Sequence, residues 1–231
     1  MTRPLDAATE RLLHTVDLLP DDAFGAPSHC AGWSRAHVVA HLALNAEGLG
    51  GVLRGFRDGA PTTMYASDDA RDGDIDELAR ATPGELRARL RTACASFGEV
   101  VDVAGGLEPG LTFERTPGGR TMPAGAVPGL RHSEVEIHHA DLDAGYVATD
   151  WPAAFAVEVL ETSAARYDGP GLHLAATDRP DGPDRWTFGT PGPGAVTVTG
   201  PVGALAWWST GRDAGSLLST TNGSLPTLEG R

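Results

Sequence analysis

The sequence is poor in cysteine and in basic residues, and each shortage excludes a class of protein. Cys30 and Cys94 are its two cysteines, too few for a disulfide framework, and no CxxC pair indicates a zinc ribbon. Both are expected to be small core or near-surface residues rather than metal ligands. Lysine and arginine number 18 against 31 acidic residues, a net charge of −13, so the basic surface that nucleic acid binding requires is missing. A small anion would need local positive charge from arginine or a metal.

Long apolar runs are absent as well. The chain has no run of about 18 apolar residues for a membrane span. Its N-terminus, MTRPLDAATERLLHTVDLL, lacks the uninterrupted apolar segment of a signal peptide. We therefore expect a soluble, cytoplasmic protein without membrane partners. With 41% hydrophobic residues it can bury a core, and 231 residues suffice for one large domain or two small ones.

Amphipathic periodicity predicts four helices in the first part of the chain. Apolar residues recur at helical spacing at about 4–19, 35–56, 82–105 and from residue 127 onward. The polar, glycine-rich residues 58–76 predict one long loop with the character of a lid. Four helices joined by one long crossover connection indicate a four-helix bundle.

The predicted helix boundaries carry recognisable signals. Ser34 is suited to cap the second helix. At the start of the third, Thr82, Pro83 and Glu85 combine an N-cap, a first-turn proline and the glutamate of a capping box. Residues 111–122, centred on Pro-Gly-Gly, predict a short hairpin-like connection that leads to the fourth helix.

The segment RHSEVEIHHADL, from Arg131 to Leu142, concentrates ionisable side chains on the fourth predicted helix. Residues three and four apart share a helix face, so the segment contains two rows of metal-ligand type. At about 100° per residue, the apolar side chains of this helix form one arc. Arg131 is expected at the surface, paired with acids. The row inside the arc is Glu134, His138 and Asp141, and the row opposite, predicted to face water, is His132, Glu136 and His139.

An inward carboxylate beside an inward imidazole needs a partner that compensates for burial. Glu134 and His138 could bind a divalent metal such as zinc, or form a buried hydrogen-bonded pair without metal. The second helix offers His41 as a third ligand or as a half-buried histidine bonded to the backbone. Asn45, one turn further on, could support it, and His37 lies further toward solvent. Three ligands from two helices would leave one zinc position open, as in catalytic sites.

The last part of the chain, residues 150–231, predicts a small domain of helix and strand. A helix is expected first, then three short strands separated by glycine- and proline-rich turns, then an apolar helix at 202–210. Trp207 and Trp208 on that helix are expected in the core. Arg212, just after it, is either solvated or able to clamp a carboxylate in bidentate fashion.

Three segments resemble the mycothiol-dependent maleylpyruvate isomerase family, within the DinB/YfiT-like superfamily. They are GWSRAHVVAHLALNA at 32–46, RHSEVEIHHADL at 131–142 and GALAWWSTGR at 203–212. The pattern Glu-x-x-x-His-x-x-Asp-Leu is typical of the superfamily and less specific for one reaction. The resemblance implies an α+β fold, with a DinB-like four-helix bundle over residues 1–149 and a small α/β domain of sterol-carrier-like type over residues 150–231.

The resemblance also implies a site and a chemistry. It places zinc ligands at His41, Glu134 and His138 and a functional arginine at Arg212. Mycothiol would be the cofactor, its thiol activated as thiolate by zinc. Addition to the double bond of maleylpyruvate, rotation and elimination would give fumarylpyruvate, while Arg212 holds a carboxylate or stabilises the enolate. The implied partners are a small-molecule substrate and a low-molecular-weight thiol, and a monomer is favoured.

Three other functions are alternatives to the isomerase. A mycothiol S-transferase would use the same zinc and thiol on another electrophile, such as a xenobiotic or a biosynthetic intermediate. A zinc hydrolase would call for the order His-Glu-x-x-His, whereas the order here is Glu-x-x-x-His. A non-catalytic, metal-bound binding module would keep its metal without any thiol-dependent turnover.

Overall fold

The computed structural model describes residues 3–212 and 215–228 and shows an α+β fold. Seven α-helices and two sheets lie within these ranges. The chain divides into two compact units, one ending at Tyr146 and the other beginning at Val147. Within the same ranges, no helix combines the length and apolarity that a bilayer crossing requires.

Five helices and one hairpin build the first unit. Their bounds are α1 Pro4–Leu18, α2 Arg35–Arg57, α3 Asp68–Leu78, α4 Pro83–Gly98 and α5 Val127–Asp141, with strands β1 Thr112–Glu114 and β2 Thr121–Pro123. Helices α1, α2, α4 and α5 pack on one another around a shared hydrophobic core. They are the four helices predicted from periodicity. The hairpin pairs β1 antiparallel with β2 and confirms the connection predicted at 111–122.

Two predictions about the elements of this unit are wrong. The predicted loop 58–76 contains α3, which begins at Asp68 after Ser67 caps it through a hydrogen bond from the Ala70 amide. Periodicity missed this helix because Ile75 is its single buried residue. The third predicted helix ends at Gly98 rather than near residue 105, and a 3₁₀ helix follows. Glycine and the β-branched valines after it disfavour a continued α-helix.

The predicted caps are confirmed. Ser34 precedes α2, and its backbone amide donates to Nδ1 of His37 at 3.3 Å. At α4 the Thr82 amide donates to a Glu85 carboxylate oxygen at 2.8 Å, and the Glu85 amide donates to the Thr82 hydroxyl at 3.3 Å. These reciprocal bonds satisfy amides that the first turn of a helix leaves without partners.

Helix α5 differs most from expectation, because it buries two faces rather than one. It packs on α1 on one side and on α2 on another. Glu136 and His139, predicted to face water, are 0% and 1% exposed. Arg131, predicted at the surface, is also fully buried. A single apolar arc is a valid guide for a helix with one packed face, and a helix in the middle of a bundle does not meet that condition.

The second unit is a four-stranded sheet with two helices. Its elements are α6 Ala153–Arg166, β3 Leu172–Ala176, β4 Arg185–Phe188, β5 Thr197–Gly200, α7 Val202–Ser209 and β6 Ser219–Thr220. The strand order is β4-β3-β5-β6, with β3 parallel to β5 and the other pairs antiparallel. Trp207 and Trp208 are buried, as predicted. A Cβ at Gly203 would lie 2.1 Å from the Ala148 carbonyl oxygen, so only glycine fits there.

Candidate metal centre

Helices α2 and α5 bring together the three residues expected to hold a metal. His41 projects from α2, and Glu134 and His138 project one turn apart from α5. The Nε2 atom of His41 lies 2.8 Å from Oε2 of Glu134, and Nε2 of His138 lies 3.3 Å from the same oxygen. Both imidazoles therefore converge on one carboxylate oxygen. The His41 side chain is buried, whereas Glu134 keeps 33% of its side-chain exposure, so the cluster is open on the glutamate side.

The protonation of the cluster follows from this packing. Burial lowers the pKa of His41, and the opposing effect of Glu134 is smaller. Burial alone would raise the pKa of Glu134, but hydrogen bonds from both imidazoles hold it well below its ordinary value. Burial would lower the pKa of His138, yet contacts led by the Asp141 carboxylate raise it well above its ordinary value. Glu134 and His138 thus favour each other's charged form, whereas burial favours the neutral form of His41.

Asp141 orients His138 toward the cluster. Its Oδ2 atom lies 2.8 Å from Nδ1 of His138, and the Asp141 side chain is fully buried. A carboxylate on one ring nitrogen of histidine fixes the ring and presents the other nitrogen to a metal. Cys30, a free and partly buried cysteine, has its Sγ 3.8 Å from the same Nδ1. Cys30, His138 and Asp141 form a second group of possible donors that shares His138 with the first.

The first group fits a zinc ion. Its donor atoms, two imidazole nitrogens and one carboxylate oxygen, are ordinary zinc ligands and lie within 4.8 Å of one another. Ligands about 2.0–2.1 Å from a tetrahedral zinc lie about 3.3 Å apart, close to the separations seen here. Three protein ligands would leave a fourth position for a small molecule. This is the donor set of a catalytic rather than a structural zinc site.

Aromatic and basic side chains surround His41. The Trp33 ring centroid lies 5.4 Å from that of His41. The Arg71 guanidinium, carried by α3, has Nη2 3.3 Å from Nδ1 of His41 and lies over both the Trp33 and Tyr65 rings. Burial and the charge of Glu134 raise the pKa of Tyr65, which keeps its hydroxyl protonated. The site therefore has hydrogen-bond donors next to the three presumed ligands.

The opposite row of α5 forms a closed polar network. Glu136 accepts hydrogen bonds from Arg11 of α1 and from the Tyr146 hydroxyl, both at 2.6 Å. Burial opposes ionisation of Glu136, but its partners outweigh that effect and lower its pKa. His139 lies 2.7 Å from the Thr15 hydroxyl and stacks on Tyr146. The network satisfies its charges with protein groups and ties α5 to α1.

Arg131 forms another buried contact that the sequence did not reveal. Its Nη1 donates to the Leu42 carbonyl and to Asn45 Oδ1, both at 2.8 Å, and its Nη2 lies 3.4 Å from the Cys94 sulfur. Asn45 thus supports Arg131 rather than His41. The guanidinium links α5 to α2 and α4 just before the turn that carries Glu134, which fixes the helix that presents two of the presumed ligands.

The other predicted residues lie as follows. Arg212, in the second unit, lies over the Trp207 ring, 5.1 Å from its centroid. His37 is part of the α2 cap and lies 3.6 Å from Asp76. His132 lies 3.6 Å from Glu136 and belongs to the network on the α1 side. Neither of these two histidines is among the grouped donors in the described part of the chain.

Three groups near the cluster were missed from the sequence. Cys30 and Arg71 are distant from α5 along the chain, and no spacing rule connects them to it. Tyr65 lies in a segment that was predicted as loop. One signal was available for Arg71, since it is the single basic residue among six acidic ones in α3. A single basic residue in an otherwise acidic helix can thus indicate a side chain that contacts a site.

Comparison with known proteins indicates one family. The family described as Mycothiol maleylpyruvate isomerase N-terminal domain matches residues 5–143 of this chain. Similar solved structures are a crystal structure of the mycothiol-dependent maleylpyruvate isomerase and one of a histidine-to-alanine mutant of it. Their TM-scores are 0.81 and 0.80, both are 26% identical to this chain, and the alignments cover 97% of this chain and 92% of theirs. No curated protein sequence matches significantly.

Proposed function

Because the chain belongs to the mycothiol maleylpyruvate isomerase family of enzymes, we propose that it is a zinc- and mycothiol-dependent cis–trans isomerase that converts maleylpyruvate to fumarylpyruvate. One observation carries the proposal. The donor atoms of His41, Glu134 and His138 form a three-ligand group that is open on one side. At such a group a bound thiol would be activated.

The chain's own residues have separate parts in this proposal. His41, Glu134 and His138 would hold the ion, which supplies a Lewis acid that favours the thiolate form of a bound thiol. The thiol supplies a reversible nucleophile, so that addition, rotation about the resulting single bond and elimination exchange the cis for the trans isomer. Asp141 keeps the His138 ring in place. The partly buried Trp33 ring and the buried His41 ring keep water from one side of the cluster.

We assign Arg212 to the substrate carboxylate or to the enolate that forms during isomerisation. A guanidinium provides a planar pair of donors that matches a carboxylate. The protein has a net charge of −13, so an anionic substrate needs such a local cation. The Arg212 guanidinium packs on the face of the Trp207 ring. An Arg212→Met variant is expected to isomerise slowly while it keeps zinc and thiol binding.

The test begins with the metal content of the purified protein by plasma mass spectrometry, followed by calorimetric titration with mycothiol and an absorbance assay of maleylpyruvate conversion. We expect about one zinc per chain and no turnover without thiol. His41→Ala should lose the zinc, and His14→Ala, an exposed histidine of the same unit, should keep it. Full zinc content in His41→Ala would refute the ligand assignment.

The same measurements separate the alternatives. Zinc and mycothiol binding without isomerisation, together with thiol transfer to another electrophile, would favour an S-transferase. Zinc without thiol binding would favour a hydrolase or a binding module. A protein that retains no metal would reduce the cluster to a buried Glu–His structural pair, and the proposed function would be wrong.

A further inference from the structure

Arg71 lies at the cluster, and the proposed function gives it no role. It is carried by α3, where it is the single basic residue among six acidic ones, and its side chain is 19% exposed. One end of the guanidinium, Nη1, donates to Asp72 at 2.6 Å, and Nη2 reaches Nδ1 of His41 at 3.3 Å. The one basic residue of this acidic helix therefore lies at the edge of the candidate metal site.

The position of Arg71 is set by contacts on several sides. Its guanidinium carbon lies 5.9 Å from the centroids of both Trp33 and Tyr65, within cation–π range. The Tyr65 hydroxyl interacts with the guanidinium and with the charge of Glu134. The Tyr65 amide donates to the Arg115 carbonyl next to β1, which ties this loop to the hairpin. Arg71 and Tyr65 thus form a preorganised pair of donors rather than a mobile surface group.

The hydrogen bonds of His41 show that this arrangement belongs to one tautomer. A guanidinium only donates and an ionised carboxylate only accepts. His41 therefore accepts from Arg71 at Nδ1 and donates to Glu134 from Nε2. Arg71 thus contacts the ring nitrogen of His41 that does not contact Glu134, so its guanidinium lies beside the cluster rather than within it.

We propose that Arg71, assisted by the Tyr65 hydroxyl, is a substrate-binding residue that holds a carboxylate of the electrophile beside the metal. The inference rests on the proposed function, in which the substrate is a dicarboxylate. Arginine recognises carboxylates in a planar, charge-assisted geometry, and a tyrosine hydroxyl adds a third donor.

The test measures binding directly, with maleate as the probe. Full-length protein is loaded with zinc and titrated with maleate by calorimetry, as wild type and as the variants Arg71→Met, Arg71→Lys and Arg80→Met. The exposed Arg80 lies just beyond α3, so its variant controls for the lost charge. We expect Arg71→Met to weaken maleate binding by about tenfold or more, the effect of one charge-assisted hydrogen bond. Arg71→Lys should retain part of the affinity, and Arg80→Met should match wild type.

Further readouts separate recognition from structure. Zinc stoichiometry and mycothiol affinity should be the same in all four proteins. If the protein isomerises maleylpyruvate, Arg71→Met should raise KM more than it lowers kcat.

Each unfavourable outcome has a distinct meaning. Maleate binding of Arg71→Met equal to that of wild type would overturn the inference, and so would failure of zinc-loaded wild type to bind maleate. A loss of zinc in both Arg71 variants would overturn it too, since Arg71 would then only support His41. Arg71-dependent maleate binding in a protein without isomerase activity would uphold the anion site and reject the proposed reaction.

Discussion

Helix α5 carries the same types of side chain on two sides, and the two sides have different chemistry. On one side Glu134 receives hydrogen bonds from two histidines, and on the other Glu136 receives them from Arg11 and Tyr146. Glu136 also has His132 beside it, but unlike Glu134 it is held by an arginine that cannot give up its charge and by a tyrosine that keeps its proton. Histidines can lose a proton to make room for a cation. The partners, not the ligand spacing, distinguish a metal site from a structural network.

The largest expected effect is on metal binding. Glu134→Gln should lower zinc affinity by at least about a hundredfold, because a neutral amide is a poor zinc ligand and the site loses its one negative donor. Glu136→Gln, two residues away on the same helix, should leave zinc affinity within a few-fold of wild type. Competition with a chromophoric chelator measures both. Equal losses in the two variants would remove the distinction drawn between the two sides.

The order of the two variants should be reversed for stability, because Glu136→Gln is expected to destabilise the fold more than Glu134→Gln. In zinc-free protein, Glu136→Gln should lower the free energy of unfolding by about 2–3 kcal/mol, since it weakens charge-assisted bonds to Arg11 and Tyr146 in a buried place. Glu134→Gln should cost less than half as much, because Glu134 is partly open to water. Urea denaturation with a chelator present measures this. A larger loss for Glu134→Gln would contradict the interpretation.

A smaller effect is expected at Asp141, which supports the metal side indirectly. Asp141→Asn should weaken zinc binding by about 10- to 100-fold, as for other carboxylates that orient a histidine ligand. Asp143→Asn is the control, because Asp143 is exposed and its positive φ of 50° suits asparagine. Zinc affinity unchanged in Asp141→Asn would mean that packing alone orients His138.

The smallest effect concerns the exposed carboxylate of Glu85, whose contribution to stability is compared with those of Glu134 and Glu136. Hydrogen bonds from the Thr82 side chain and backbone lower the pKa of Glu85. Its contribution to stability is therefore complete above its unfolded pKa and is lost as pH falls through the folded value. Thermal melts of wild type and Glu85→Gln should differ slightly at pH 7 and converge at low pH. A difference that persists in acid would assign the effect to helix propensity.

Local patterns predicted much of this molecule for a simple reason. Helix periodicity and caps depend on residues within one or two turns, so the four bundle helices and the Thr82 box could be read directly. Residues four apart on one helix share a face, so Glu134 and His138 had to lie together. Helix α3 was not predicted, because its single buried residue gives no apolar periodicity.

The helices, their caps and the pairing of Glu134 with His138 follow from short-range properties of the chain. The burial of two sides of α5 and of Arg131 follows instead from the packing of the bundle. Tertiary packing also brings Arg71 to His41 from a separate helix. The reason is physical: burial and charge compensation depend on which elements pack together, and residues far apart in the chain set the pKa values and hydrogen bonds of a site.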